Sequence, residues 1–479
     1  MVGDSAASAE LRVGEERVEA RSKALHKELG LRDLALTQIL FVVGLSWVGA
    51  AAKLGPAHVV FWLLAITFFY VPSAITVIYL NGLMPLEGGL YQWAKLGFSE
   101  LFAFMVAWNL WLFAITNTSE AGLQLATNIA YATGPRGAWI ASNKPIITLA
   151  SVAVVALLVY VSTVGLSVGK WVHNAGGAIM LTVFAVLIVL PFVAVARGTM
   201  RHYAPLATAV PVVSLFSLNI LGKLGFGALG GFEYVAILAG ECRSPARTIG
   251  RSVMVAAPAI AFMFIFGTSS VLAFIPRDQI DLIAPIPQVL SVGFAPFGLA
   301  AVIVPIALIL LMTLRVAQAS VNFTATSRLP MVAGWDRLMP QWFTKLHPRY
   351  QTPRNSILLV GAITLLLGCL SLIGVGNQEA FQLLFNAGGI FYALTYLVMF
   401  AIPLFGLRGI TPRPPWWLRV AATSGFLMTV LYVCLSIFPI IEVTSTSSFT
   451  AKVATLIVLT NGLGAAIFFI AKRRRALTR

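Results

Sequence analysis

The sequence predicts an all-α membrane protein of twelve transmembrane helices, built as two groups of five in opposite orientation with two further helices behind them. Three observations carry this. Of 479 residues, 59% are hydrophobic and only 10% charged, with a mean hydropathy of +0.89; soluble domains carry about 25% charged residues. Stretches such as Trp171–Ala196 and Ser252–Pro276 contain no Asp, Glu, Lys or Arg, and each is long enough to cross about 30 Å of hydrocarbon at about 1.5 Å per residue. Two spans are interrupted by glycines at corresponding positions, the sign of an inverted repeat with a site near the bilayer midplane.

Read in order, residues 1–33 are polar, of mixed charge and without an apolar run, as expected of a cytoplasmic tail rather than a signal peptide. Spans are expected at 34–52, 57–83, 99–131, 146–166, 171–196, 212–242, 252–275, 296–326, 355–374, 379–405, 420–440 and 453–471. They divide into a first repeat (34–196), a second repeat (212–405), a C-terminal pair within 406–471 and a basic tail (472–479). An odd number of spans per repeat forces the two repeats into opposite orientations. With the N-terminus inside, only Lys53, Arg136, Lys144, Arg197, Arg201, Arg277 and Lys452 fall on the outer side; Lys223 and Arg315 lie within spans, and the other 24 of the 33 basic residues are cytoplasmic. The net charge of +16 thus follows the positive-inside rule and gives no reason to expect nucleic acid. By the same asymmetry both termini are expected in the cytoplasm; the membrane expected is a plasma membrane, the inner one of a bacterium. The terminal Arg473-Arg474-Arg475 cluster suits anionic headgroups.

Three connections are more than linkers. Gly88-Gly89, within Pro85–Tyr91, permits a tight turn. The basic segment from Arg328 to Arg354 carries Trp335, Trp342 and Phe343, as an interfacial helix would. Residues 277–287, with Asp278 and Asp281, suit either a cover over an outer vestibule or a plain surface loop. Cys242, Cys369 and Cys434 have no metal-ligand spacing; Cys369 and Cys434 are expected to be small core residues. No cofactor or metal is implied.

The breaks carry the chemistry. Span 1 contains Gly44 and Gly49; span 6 contains Gly225, Gly227, Gly230, Gly231 and Gly240, with Glu233 beside the break. Unwound backbone is tolerated in a bilayer only where its polar groups line a cavity or bind something, so the pattern reads as the substrate site of a transporter.

Four segments resemble the amino acid–polyamine–organocation superfamily of permeases. They are Gly44 with Gly49–Pro56, Pro85-Leu86-Glu87-Gly88-Gly89-Leu90-Tyr91, Leu229–Glu233 with Gly240–Arg247, and Thr326-Ser327-Arg328 with Leu338-Met339-Pro340 and Lys345–Pro348. The resemblance implies a LeuT-type fold of five plus five inverted helices. In place of the family's Gly-Ser-Gly on helix 1, Gly49-Ala50-Ala51 is the expected counterpart. Some proton-coupled members carry a lysine on helix 5 that stands in for sodium; Met180 and Leu181 are found here instead, and Lys170 and His173 lie too near the cytoplasmic end for that role.

A zwitterionic amino acid needs N–H donors for its carboxylate and carbonyls or an acid for its ammonium. The donors are expected from helix 1 around Gly44, Ser46, Trp47, Val48, Gly49, Ala50 and Ala51, and the carbonyls from Phe226, Gly227, Ala228, Leu229 and Gly230. Trp47 and Phe226 read either as substrate gates or as ordinary packing. Glu233 is the candidate for coupling, or alternatively a structural cap on helix 1 N–H groups. Glu120 and Arg315 form a candidate ion pair for gating or for the scaffold. Ser320 and Thr324 are sodium-site candidates, though hydroxyls more often bond back to their own helix. Lys223 is expected to snorkel outward, and Glu241 to pair with Arg243 and Arg247.

The function expected is alternating-access, secondary active transport of amino acids, neutral ones favoured, by proton-coupled symport. The alternatives are an amino-acid exchanger, a polyamine or amine permease, and a transporter-like sensor. ATP-driven transport is disfavoured, since no G-x-x-x-x-G-K-S/T loop is present, and an enzyme is disfavoured, since no Ser/His/Asp set or His-rich metal motif appears. The expected partners are an amino acid, a proton and the lipid bilayer; oligomeric state is left open.

Overall fold

The computed structural model describes residues 16, 20, 27–133, 137, 139–140, 142–280, 285–371, 377–406, 414–438 and 445–477. The expected N-terminal tail falls almost entirely outside them, as do 281–284 of the 277–287 connection. Among the described residues, nine helices are long and apolar enough to cross a membrane. A pair bent by 46°, Leu31–Val42 and Leu45–Ala52, and two shorter apolar helices, Leu215–Ala228 and Arg354–Cys369, stand at the remaining expected spans.

The helices used below are α1 (Leu31–Val42), α2 (Leu45–Ala52), α3 (Gly55–Leu83), α4 (Leu90–Gly97), α5 (Glu100–Ser119), α6 (Ala121–Thr133), α7 (Lys144–Val164), α8 (Leu166–Ala196), α9 (Leu215–Ala228) and α10 (Tyr234–Ile237). They continue with α11 (Pro245–Phe274), α12 (Pro285–Phe294), α13 (Ala300–Thr326), α14 (Leu329–Trp335), α15 (Arg354–Ser371), α16 (Asn377–Ala401), α17 (Trp416–Ser436) and α18 (Thr446–Leu477). α1 and α2 form the first span, α5 and α6 the third, and α9 and α10 the sixth.

Packing obeys the five-span repeat. The third span (α5) packs on the tenth (α16), and, five further on, the eighth (α13) packs on the fifth (α8). The third also packs on the ninth (α15), and its counterpart, the eighth, on the fourth (α7). The fourth and ninth, which exchange under the same shift, touch each other. The first span leans on α8 and α11, and the last two spans cover α16 from outside.

Side chains supply close fits in place of a hydrophobic driving force, which lipid does not provide between helices. The Gly88-Gly89 turn is one of these. Gly89 has φ +42, and a Cβ there would lie 2.6 Å from the Ala236 backbone. Gly88 N–H meanwhile donates to the Ile237 carbonyl at 3.0 Å. This turn therefore docks the end of α3 directly on the second half of the broken sixth span.

Three expectations are corrected here. α14 is not a surface helix: Leu329 to Gly334 are all buried, and of the aromatics Trp335, Trp342 and Phe343 only Trp342 is exposed. Cys434 is exposed and Cys369 half-buried, because an apolar span turns one side to lipid; Cys242 is the buried cysteine. Arg475 also folds back, pairing with Glu100 at 2.5 Å and donating to the Asp336 carbonyl at 3.0 Å.

Substituting Gly89→Ala is expected to cost about 1–3 kcal/mol in backbone strain, with the Ala236 clash added. Thermal unfolding in detergent should show a clear drop in Tm and a loss of monodisperse protein.

Candidate functional site

The first break falls at Val43–Gly44, both extended, with ψ of 97 and 127. It lies at the start of the glycine-interrupted stretch of span 1, upstream of Gly49-Ala50-Ala51, the expected counterpart of the family's Gly-Ser-Gly. Val48, Gly49, Ala50 and Ala51 are inside α2, where their backbone groups belong to the helix, so the donors are not those around Trp47 to Ala51. The helix N-terminus instead leaves the N–H groups of Leu45 and Ser46 without intrahelical acceptors. Trp47 N–H already bonds the Gly44 carbonyl at 3.3 Å. A carbonyl side of the break remains as well: Leu40 O and Val43 O each accept from Gln318 Nε2, at 2.9 and 3.0 Å.

The second break begins with a π-helical turn, Lys223–Ala228, a distortion found mostly at functional positions. The chain then leaves helical geometry at Leu229, and Gly231 takes φ +140. The Phe226 carbonyl is consumed by Gly230 N–H at 3.0 Å, which leaves the α9 carboxyl end at Gly227, Ala228 and Leu229 as the acceptor set. Only α10, a single turn, follows before the chain exits at Glu241. Lys223 is buried within the turn and does not snorkel.

Trp47 joins the two breaks. A Cβ on Gly44 would lie 2.4 Å from its indole Cδ1, and one on Gly227 2.7 Å from its Cη2. The indole is thus seated between backbone of α2 and backbone of α9, with Phe385 at 5.8 Å. Gly44, Ser46, Trp47 and Gly227 keep partial exposure. Phe226 is 1% exposed and packs against Phe69, Tyr392, Tyr396 and Tyr432. It is a packing residue here, whereas Trp47 keeps partial exposure.

Glu233 is fully buried, and its two oxygens accept hydrogen bonds from the hydroxyls of Tyr392 and Tyr396 on α16. Tyr396 Oη in turn accepts the Gly231 N–H at 2.7 Å. A chain of bonds therefore runs from the unwound backbone through Tyr396 to Glu233, so the carboxylate does not cap α2. Both tyrosines escaped the sequence reading. The one signal was their spacing of four on an apolar span, which packing explains equally well.

Other site residues separate. Glu120 sits at the bend between α5 and α6, where Gln124 reaches one oxygen at 3.5 Å; the other is buried and unpartnered. Arg315 is close enough to feel its charge, yet no ion pair closes between them among the described residues, and Arg315 Nη1 meets Gln318 Oε1 at 3.4 Å. Ser320 bonds His173 at 3.3 Å and Thr324 bonds Ser162 at 3.0 Å. Both hydroxyls face the scaffold helices α7 and α8, so neither supports the sodium-site expectation.

One end of the bundle is sealed by charge. Glu28 and Leu29 N–H groups donate to the Glu241 carbonyl at 3.0 and 3.1 Å, and Arg243 N–H donates to the Leu29 carbonyl at 3.0 Å. Glu28 pairs with Lys170 at 2.6 Å, and Asp33 accepts from Asn174 at 2.7 Å. Glu241 pairs with Arg328, which is itself 1% exposed, at 2.7 Å, rather than with Arg243 or Arg247. Glu87 accepts the Gly240 N–H at 2.7 Å. It lies in the turn between α3 and α4, outside the spans. Burial and the neighbouring Glu241 carboxylate push it up to about 8, against the pull of Arg328 and the Gly240 N–H.

Broken helices facing each other in a five-plus-five repeat define a membrane transporter of the LeuT type. The chain belongs to the amino acid permease family, whose model matches residues 34–460. Among relatives, a probable agmatine/putrescine antiporter of Lactococcus lactis, AguD, is 24% identical, with 82% of each chain covered. The branched-chain amino acid permease BcaP of Bacillus subtilis is 24% identical, over 76% of this chain and 80% of its own length. An uncharacterized transporter of Legionella pneumophila is 22% identical, over 81% and 83%. The crystal structure of MhsT in complex with L-phenylalanine shares the fold, with a TM-score of 0.59 over 86% of this chain and 98% of that one at 15% identity.

Two outcomes follow. A folded pKa for Glu87 above the ordinary carboxylate value means that the folded state holds an extra proton. Its stabilising contribution is complete below about 4.5 and is lost as pH rises through about 8. Thermal unfolding should therefore show Tm falling by several degrees over that window, and Glu87→Gln, which keeps an acceptor for Gly240, should flatten the slope. Tyr396→Phe should destabilise more than Tyr392→Phe, each by about 1–3 kcal/mol, because only the Tyr396 hydroxyl also serves the Gly231 N–H.

Proposed function

We propose that this permease is a secondary active transporter of amino acids, neutral ones favoured, working by alternating access as a proton symporter. The observation that carries the reading is the seating of Trp47 between the two breaks. Leu45 and Ser46 N–H groups at the start of α2 suit a carboxylate, and the carbonyls of Gly227, Ala228 and Leu229 suit an ammonium. The rings of Trp47 and Phe385 beside them suit an apolar side chain. Glu233 is the proton carrier in this reading, as an ionisable group inside the membrane whose bonds to the α16 hydroxyls break and re-form as the sixth span moves. The charged, sealed end is the cytoplasmic one by the positive-inside rule, in a bacterial inner membrane with both termini inside. In that orientation the partial exposure of Trp47 and Gly227 belongs to the outward side.

The test is uptake of a radiolabelled amino-acid panel into proteoliposomes, with and without an inward proton gradient. The expected result is gradient-stimulated uptake of neutral amino acids, abolished by Glu233→Gln, with KM raised on the order of tenfold by Trp47→Ala. Uptake that needs internal amino acid and ignores the gradient makes the protein an exchanger. Uptake of putrescine or agmatine in place of amino acids makes it an amine permease. Binding without flux of any of them makes it a sensor.

A further inference from the structure

The geometry points to Gln318 as the tie that holds the broken first span to the scaffold, an uncharged carboxamide in the place where a bridging cation would otherwise serve. Stopping a helix inside the apolar layer strips its last carbonyls of their intrahelical donors. At the carboxyl end of α1, two such oxygens, on Leu40 and Val43, converge on a single atom, Gln318 Nε2, at 2.9 and 3.0 Å. A carboxamide nitrogen has two hydrogens, so both are used and the carbonyl pair is satisfied. The amide is oriented from its other side: Gln318 Oε1 lies 3.4 Å from Arg315 Nη1, on the preceding turn of α13. That contact distinguishes the amide nitrogen from its oxygen, since only the oxygen can accept from a guanidinium.

Converging carbonyls at an unwound segment are also the ligands that sodium takes in broken-helix transporters. Here they already have donors, and the two α13 hydroxyls expected to ligate sodium, Ser320 and Thr324, are bonded to His173 and Ser162 instead. The tie links a helix that must tilt to one that stays with the scaffold, so it has to be made and broken once in each cycle. Gln318 is thus a positioning residue. This deepens the transport reading above and rests on it, by assigning the closure of the first span to an internal amide and not to sodium.

The experiment uses the full chain in detergent, with Cys242, Cys369 and Cys434 replaced by alanine and Ser46→Cys as reporter beside the break. Alkylation rate at position 46 is followed in sodium chloride and in choline chloride at equal ionic strength, across pH. With Gln318 intact, the rate should be the same in both salts. Gln318→Ala should raise it on the order of tenfold, the loss of two amide–carbonyl bonds. Gln318→Glu preserves length but turns a second oxygen toward the carbonyls. Its rate should fall back toward the parent's as pH drops or sodium replaces choline, because a proton or cation must then sit between them. A purely structural role would not create that dependence. A parent rate that slows on adding sodium overturns the assignment, as does an alanine variant alkylated at the parent rate. If the alanine variant does not fold, a glutamate variant insensitive to both pH and sodium overturns it. None of these readouts needs a transported substrate, so a wrong substrate class leaves the result intact.

Discussion

Backbone groups left without partners inside an apolar layer are the constraint around which this molecule is organised. Helices cross a membrane cheaply because each N–H and C=O is satisfied within the segment. Two spans give this up, at Val43–Gly44 and at Leu229–Glu233, and the surroundings of both breaks answer it. Gln318 takes the carbonyls of Leu40 and Val43, while Tyr396 takes the N–H of Gly231 and passes the bond on to Glu233. The groups left over, N–H at one break and C=O at the other, have the polarity of the two ends of an amino acid.

The two ends of the site are held by different chemistry. Around the breaks the partners are amides, hydroxyls and aromatic rings. At the sealed end they are charges: Lys170 with Glu28, Arg328 with Glu241, and Arg475 with Glu100. Breaking a buried pair such as Arg328–Glu241 leaves a bare charge and costs about 3–5 kcal/mol, whereas one uncharged hydrogen bond is worth about 1 kcal/mol. The contacts around the breaks are therefore the cheaper ones to open. Glu87, buried beside that pair with one oxygen unpartnered, makes the sealed end sensitive to pH.

The legibility of the fold follows from hydropathy. Lipid imposes length and apolarity on each span independently of its neighbours, so every span announced itself, and the glycines marked which two would break. The backbone donors of the first span were placed too far along because Gly49 and Ala50–Ala51 look as permissive as Gly44. What separates them is the Trp47 indole, which occupies the space beside Gly44 and leaves no room for a Cβ. Glu233 stood out as a carboxylate in an apolar run. Its tyrosine partners did not, since a phenol four residues from another on a buried helix face is indistinguishable from core packing until a carboxylate is seen beside it. Ser320 and Thr324 erred in the same way: their spacing put them on one face of α13, but the face turned out to be the one opposite Ser162 and His173.

The sequence by itself determined the class, the apolar spans in their order, the two that unwind and the acid beside them, because each of these rests on the composition of one contiguous segment. The tertiary structure alone decided which unwound groups are already spoken for. Gln318 reaches Leu40 across 278 positions, Tyr396 reaches Glu233 across 163, and Arg328 reaches Glu241 across 87. A hydrogen bond requires two atoms within about 3 Å, and chain order places no such limit on partners so far apart.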